Sequence, residues 1–155
     1  MTDTEKFLST IFGGAPGELY LLLWTLPDRR SRWFQASRLD LAARYVVRCD
    51  GKDVYVGCAL SARDWGPKAR CVAEATAGIT AVWADVDVAG PANKKKNLPP
   101  TLEDALALVE SMGLPPSVLV YSGHGLQAWW VLQEPLIFAA AVDRARAAAL
   151  VADWQ

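Results

Sequence analysis

Asp85 and Asp87 are the residues whose type and spacing point most directly to chemistry. They lie in Ala81-Val-Trp-Ala-Asp-Val-Asp-Val-Ala-Gly90, an apolar run that reads as a buried strand. Side chains on a strand alternate faces, so Asp85 and Asp87 share a face with Trp83, and Val82, Ala84, Val86 and Val88 take the other. Two residues of strand rise separate the acids by roughly 6.6 Å at Cα. Two carboxylates on one open face repel each other unless a cation lies between them. The spacing suits Mg²⁺ or Mn²⁺, singly or as a pair about 3.5–4 Å apart. The alternative is a strand end whose acids simply face water.

Ser122-Gly-His124-Gly125 falls between two expected strands. A serine hydroxyl, free backbone N–H groups and an imidazole can together hold phosphate oxygens. The same residues also read as a glycine-rich hairpin turn with an exposed histidine. Lys94, Lys95 and Lys96 follow the two aspartates on a loop, where they offer either phosphate contacts or a solvated charge run. Arg63 follows a strand and is a candidate for the same cleft or for plain surface. Trp83, Tyr121, Trp129 and Trp130 are candidates for base stacking or for the core. A serine-hydrolase elbow is absent, because Val120-Tyr-Ser-Gly-His124 does not match Gly-x-Ser-x-Gly and the helix that should follow is missing.

The elements that must position these groups divide at about residue 78. In the smaller N-terminal αβ unit, about 1–78, Phe7 to Phe12 has helical spacing. Glu18 to Leu26 reads as a strand, with Trp33 to Gln35 pairing back; Leu39 to Val47 is a short helix, and Asp53 to Leu60 one alternating strand. In the second half, about 79–155, the acidic strand is followed by a loop from Gly90 to Pro100. Thr101 then N-caps a helix with the apolar stripe Leu102, Leu106, Val109 and Met112. Ser117 to Tyr121 and Leu126 to Leu132 read as strands, and Phe138 to Trp154 as a helix. The order β-α-β-β-α predicts an α/β (α+β) fold with an RNA-recognition-like core lacking its fourth strand, so that one sheet edge stays open.

A length of 155 residues suits a single domain with a real core, and 52% apolar with 21% charged residues is ordinary for a globular chain. The net charge of −1 excludes a strongly basic nucleic-acid coat but not a local basic groove. No apolar run reaches the length of a membrane helix, and the polar N-terminus lacks a signal-peptide layout. Cys49, Cys58 and Cys71 are scattered and His124 is the only histidine, which argues against structural zinc and for a reduced, cytoplasmic setting.

Val82-Trp-Ala-Asp-Val-Asp-Val88 and Tyr121-Ser-Gly-His-Gly-Leu-Gln-Ala-Trp-Trp130, with one helix between, resemble the archaeo-eukaryotic primase superfamily. The closer likeness is to the primase-polymerase domains of phages, plasmids and CRISPR-associated loci, and Asp53 to Arg63 resembles the strand that precedes the acidic one there. The resemblance implies a DNA primase or polymerase performing metal-dependent nucleotidyl transfer, with nucleoside triphosphates, a DNA template and primer, and a helicase or CRISPR-associated protein as partners. It assigns Asp85 and Asp87 to Mg²⁺ or Mn²⁺, and Ser122 and His124 to the triphosphate. The family's third acidic motif has no counterpart before Gln155, which gives the expectation of a domain incomplete at its C-terminus. The competing readings are a non-catalytic nucleic-acid-binding module, a degenerate remnant, and a metal nuclease, whose histidine pair a single histidine cannot supply.

Overall fold

A computed structural model describes residues 1–155. The first helix, α1 (Asp3–Phe12), begins earlier than the Phe7 expected, because Thr2 and Glu5 form a reciprocal capping box. Its buried stripe is Leu8, Ile11 and Phe12. Burial of each such side chain contributes roughly 1.5–3 kcal/mol. Strands β1 (Tyr20–Leu26) and β2 (Arg30–Gln35) form an antiparallel pair, and α2 (Leu39–Arg48) matches the helix expected there.

The single strand expected over Asp53 to Leu60 is two strands, β3 (Asp53–Val56) and β4 (Ala59–Ser61). The break has a backbone cause. Gly57 donates its N–H to the Leu22 carbonyl at 2.8 Å, and a Cβ there would stand 3.0 Å from the Leu22 side chain. Close passage past Leu22 lets the chain leave the edge of β1 and step across as β4 to β5 (Thr76–Asp87).

The second half follows the expected order. After β5 come α3 (Leu102–Glu110), β6 (Val118–Tyr121), β7 (Gly125–Ile137) and α4 (Ala141–Trp154). Thr101 caps α3 in a capping box with Asp104. Helix α4 starts three residues later than the Phe138 expected. Phe138 still donates to the Ala77 carbonyl as an extension of the sheet, and the Asp143 carboxylate accepts from the N–H groups of Ala139 and Ala140 at 2.9 Å each.

All seven strands join one antiparallel sheet in the order β2-β1-β4-β5-β7-β6, with β3 also on β1. The mixed α+β class is as expected. The open edge is not as simple as expected, because β4 lies beside β5 where a fourth strand would otherwise sit. It covers only Thr76 to Ile79, and Ala81 to Asp87 have no strand partner on that side.

The sheet has a core on each face. Helices α1 and α2 cover one, where Leu8, Ile11, Phe12, Leu21, Leu23, Ala81 and Trp129 pack together. On the other face Val82, Ala84, Val109, Ala128 and Trp130 pack with Leu150, Val151 and Trp154. Alternation along β5 and β7 sends neighbouring residues into opposite cores. No helix is long and apolar enough to cross a membrane.

Candidate functional site

The unpaired stretch of β5 forms a wall of an open cleft of about 940 Å³. Opposite it stands β3, which is hydrogen-bonded to β1 and not to β5. Phe7 and Leu8 of α1, together with Trp129, line the apolar part, and Trp83, Asp85, Ser122, His124 and Gln127 also border the cleft. A cavity of this size falls within the range of small-molecule sites.

Strand register sets the floor. Trp83 lies across from Trp129 and Asp85 across from Gln127, so an aromatic layer underlies a polar one. The two indoles are 5.8 Å apart, and Phe7 meets Trp129 edge-on at 5.5 Å. Trp129 Nε1 is buried with no hydrogen-bond partner, which leaves an unused donor among the cleft residues.

Asp85 and Asp87 point to the face that carries Trp83, as expected. Asp85 is exposed as a residue, yet its carboxylate loses part of its hydration against the cleft wall. That desolvation, reinforced by the Asp87 charge and opposed by Lys95, raises its pKa above the ordinary 3.8. Asp87 stands at the rim beyond the cleft proper, and Lys95 Nζ donates to its Oδ2 at 3.2 Å.

The turn joining β6 to β7 brings Ser122 and His124 to the same end of the sheet. Tyr121 pairs with Leu126, and Ser122 donates its N–H to the Gly125 carbonyl at 3.0 Å, leaving Gly123-His124 as a two-residue turn. Gly123 has φ +87°, the conformation that a type II′ hairpin needs at its first turn position. Gly125 is required for space, since a Cβ there would collide with the Val86 carbonyl of β5. His124 also borders a smaller cavity of about 240 Å³ under the loop from Val88 to Asn93.

Asn93 is a residue that sequence reasoning missed. Its side-chain amide donates to the Val88 carbonyl at 2.9 Å and to the His124 carbonyl at 3.2 Å, tying the lysine loop to the hairpin. The missed signal was an Asn three residues after Gly90 in a turn-forming segment. Gln127 was also unassigned, although it faces Asp85 across the β5–β7 pair.

The candidates are not all brought together. Lys94 and Lys96 are exposed, and of the three lysines only Lys95 is ion-paired. Arg63 is removed from the cleft. It follows Ser61, which pairs with Thr76 at the start of β5; Asp85 lies nine residues on, roughly 30 Å of strand. The guanidinium stacks instead on Trp65, 3.9 Å from the ring. Trp130 faces the second core and donates to the Leu114 carbonyl at 2.9 Å, and Tyr121 is exposed.

Cysteine chemistry is disfavoured here. Cys58 borders the cleft, but burial pushes its thiol up to about 12, so the reactive thiolate is scarce at neutral pH. No group of three or more His, Cys, Asp or Glu side chains converges, and Asp85 with Asp87 remains the paired acidic feature of the site. No protein family, curated protein or solved structure matches this chain.

Proposed function

We propose that this chain is a metal-dependent nucleotidyl-transfer domain of the primase-polymerase kind, which binds a nucleoside triphosphate in the cleft beside Asp85. One observation carries the reading: Asp85, Ser122 and His124 line one open cleft, with Asp87 at its rim. The residues fit a divalent cation. Mg²⁺ is commonly held by one or two carboxylates, with waters and substrate phosphates completing its shell. Desolvation first and the Asp87 charge second raise the Asp85 pKa, and both are costs of the kind that a bound cation offsets. Asp85 and Asp87 would hold such a cation, which would supply Lewis-acid chemistry: a more acidic 3′-hydroxyl and compensation of charge on the phosphates.

The remaining roles belong to the protein. Ser122 and His124 hold phosphate oxygens at the hairpin. Lys94, Lys95 and Lys96 supply positive charge from the adjoining loop, and Trp83 and Gln127 border the space for the rest of the nucleotide. The substrates that follow from this reading are nucleoside triphosphates and a DNA primer on its template.

The test is binding of a fluorescent nucleoside triphosphate with and without Mn²⁺. Binding should need the metal, vanish with a chelator, and fall at least tenfold in Asp85→Asn and in Ser122→Ala/His124→Ala. Binding that ignores both the chelator and these substitutions would overturn the reading.

A further inference from the structure

Strand β3 joins the cleft to a second surface. Tyr55 borders the cleft and is 50% exposed. It pairs across strands with Trp24 of β1, their rings 5.6 Å apart and tilted at 53°. Beyond Trp24 comes Arg70, whose guanidinium lies 5.4 Å from the indole centroid. The three side chains thus follow one another in the order Tyr55, Trp24, Arg70, leading away from the cleft.

The segment that brings Arg70 here is fastened to the sheet. Trp33 Nε1 donates to the Gly66 carbonyl at 3.2 Å, and the Ser31 N–H donates to the Pro67 carbonyl at 2.9 Å. The segment also carries Arg63 and Lys68, and neither these nor Arg70 joins any ion pair. Of the acids near it in sequence, Asp64 is held by the Gly66 N–H at 2.6 Å, and Glu74 joins no ion pair. The surface therefore combines exposed aromatic area with cations that no carboxylate neutralises.

We infer that Tyr55, Trp24 and Arg70 form a track for single-stranded DNA leading out of the cleft, with a base stacked on Tyr55 and a phosphate on Arg70. Aromatic faces with unpaired cations are the combination that single strands use, because every base has a π-face and every linkage a charge. A peptide partner would be served by an apolar groove, whereas here the exposed Tyr55 ring adjoins Trp24, whose indole carries the Arg70 guanidinium. The inference rests on the nucleotidyl-transfer reading and names the course of its polymeric substrate.

The test is fluorescence anisotropy with a labelled single-stranded oligonucleotide at several salt concentrations, with Mn²⁺-dependent nucleoside triphosphate binding measured in parallel. Tyr55→Ala should weaken oligonucleotide binding at least about fivefold without changing its salt slope, and Tyr55→Phe, which keeps the ring, should bind as wild type. Arg70→Gln should weaken binding and reduce the salt slope by roughly one contact. Arg70→Gln, which lies outside the cleft lining, should leave triphosphate binding unchanged. Oligonucleotide binding that is absent, or unchanged in Tyr55→Ala and Arg70→Gln, while triphosphate binding persists would overturn the track and leave the cleft reading standing. Oligonucleotide binding with these dependences but no metal-dependent triphosphate binding would support the track and overturn the cleft reading.

Discussion

Lys95 Nζ lies 3.2 Å from Asp87 Oδ2, while Asp85, two residues earlier on the same face, is in no ion pair. The two acids of one motif are therefore unequally compensated. Asp87 has a cation at the rim, and Asp85 carries the electrostatic cost at the cleft wall. Lys95 occupies ground that a divalent cation would also claim, and its side chain is 77% exposed, so the pair is weak and easily exchanged.

Lys95→Gln should thus tighten Mn²⁺ binding in the absence of nucleotide by about two- to fivefold, the range of an exposed ion pair. The same substitution should weaken triphosphate binding in the presence of Mn²⁺. Calorimetric titration of each ligand separates the two effects, and a change of the same sign in both would contradict this role.

Asp85→Asn should stabilise the metal-free protein. A carboxyl whose folded pKa is raised binds more protons in the folded state than in the unfolded one, so its charge subtracts stability as pH rises through that range. The deficit is absent below the ordinary 3.8 and complete above the raised value. Thermal unfolding in chelator should give the Asn variant the higher Tm at neutral pH, with the gap closing as pH falls below 4. A wild type that is the more stable protein at neutral pH would be the contrary result.

Alternation made the acidic strand legible: Asp85 and Trp83 face the cleft and Val82 and Ala84 the second core, as period-two reasoning requires. Thr101 was readable as a cap because its capping box is local. The division of Asp53 to Leu60 was not readable. The run alternates without interruption, and only the approach of Gly57 to Leu22, a residue far away in sequence, breaks it. Arg63 was misplaced for a related reason. Its nearness to a strand was visible, but which end of β5 that strand would meet depends on register. Asn93 went unnoticed because its partner is the His124 carbonyl, brought near only by the β5–β7 pairing.

Gly125→Ala should damage the site through the backbone. The added Cβ meets the Val86 carbonyl and stands 3.0 Å from Asp87 Cα, so β5 must shift at the acidic motif. A loss of about 1–3 kcal/mol is expected from such overpacking. Denaturant unfolding measures the loss, and stability equal to wild type would show that β5 yields freely.

Asn93→Ala should free the lysine loop while leaving the fold intact. Loss of the two amide hydrogen bonds costs about 0.5–1.5 kcal/mol each. Limited proteolysis should cut between Gly90 and Pro100 several times faster than in wild type, and triphosphate affinity should fall. Unchanged proteolysis would mean that the Ala89 N–H bond to the Pro99 carbonyl suffices to hold the loop.

The most direct measurement is calorimetric titration of Mn²⁺, in the presence of a nonhydrolysable nucleoside triphosphate, into wild type, Asp85→Asn and Asp85→Asn/Asp87→Asn. The predicted result is saturable binding to wild type, at least tenfold weaker binding to the single variant, and none above the nucleotide's own affinity for Mn²⁺ in the double variant. Equal binding by all three proteins would contradict the assignment of the cleft to a metal-bound nucleotide.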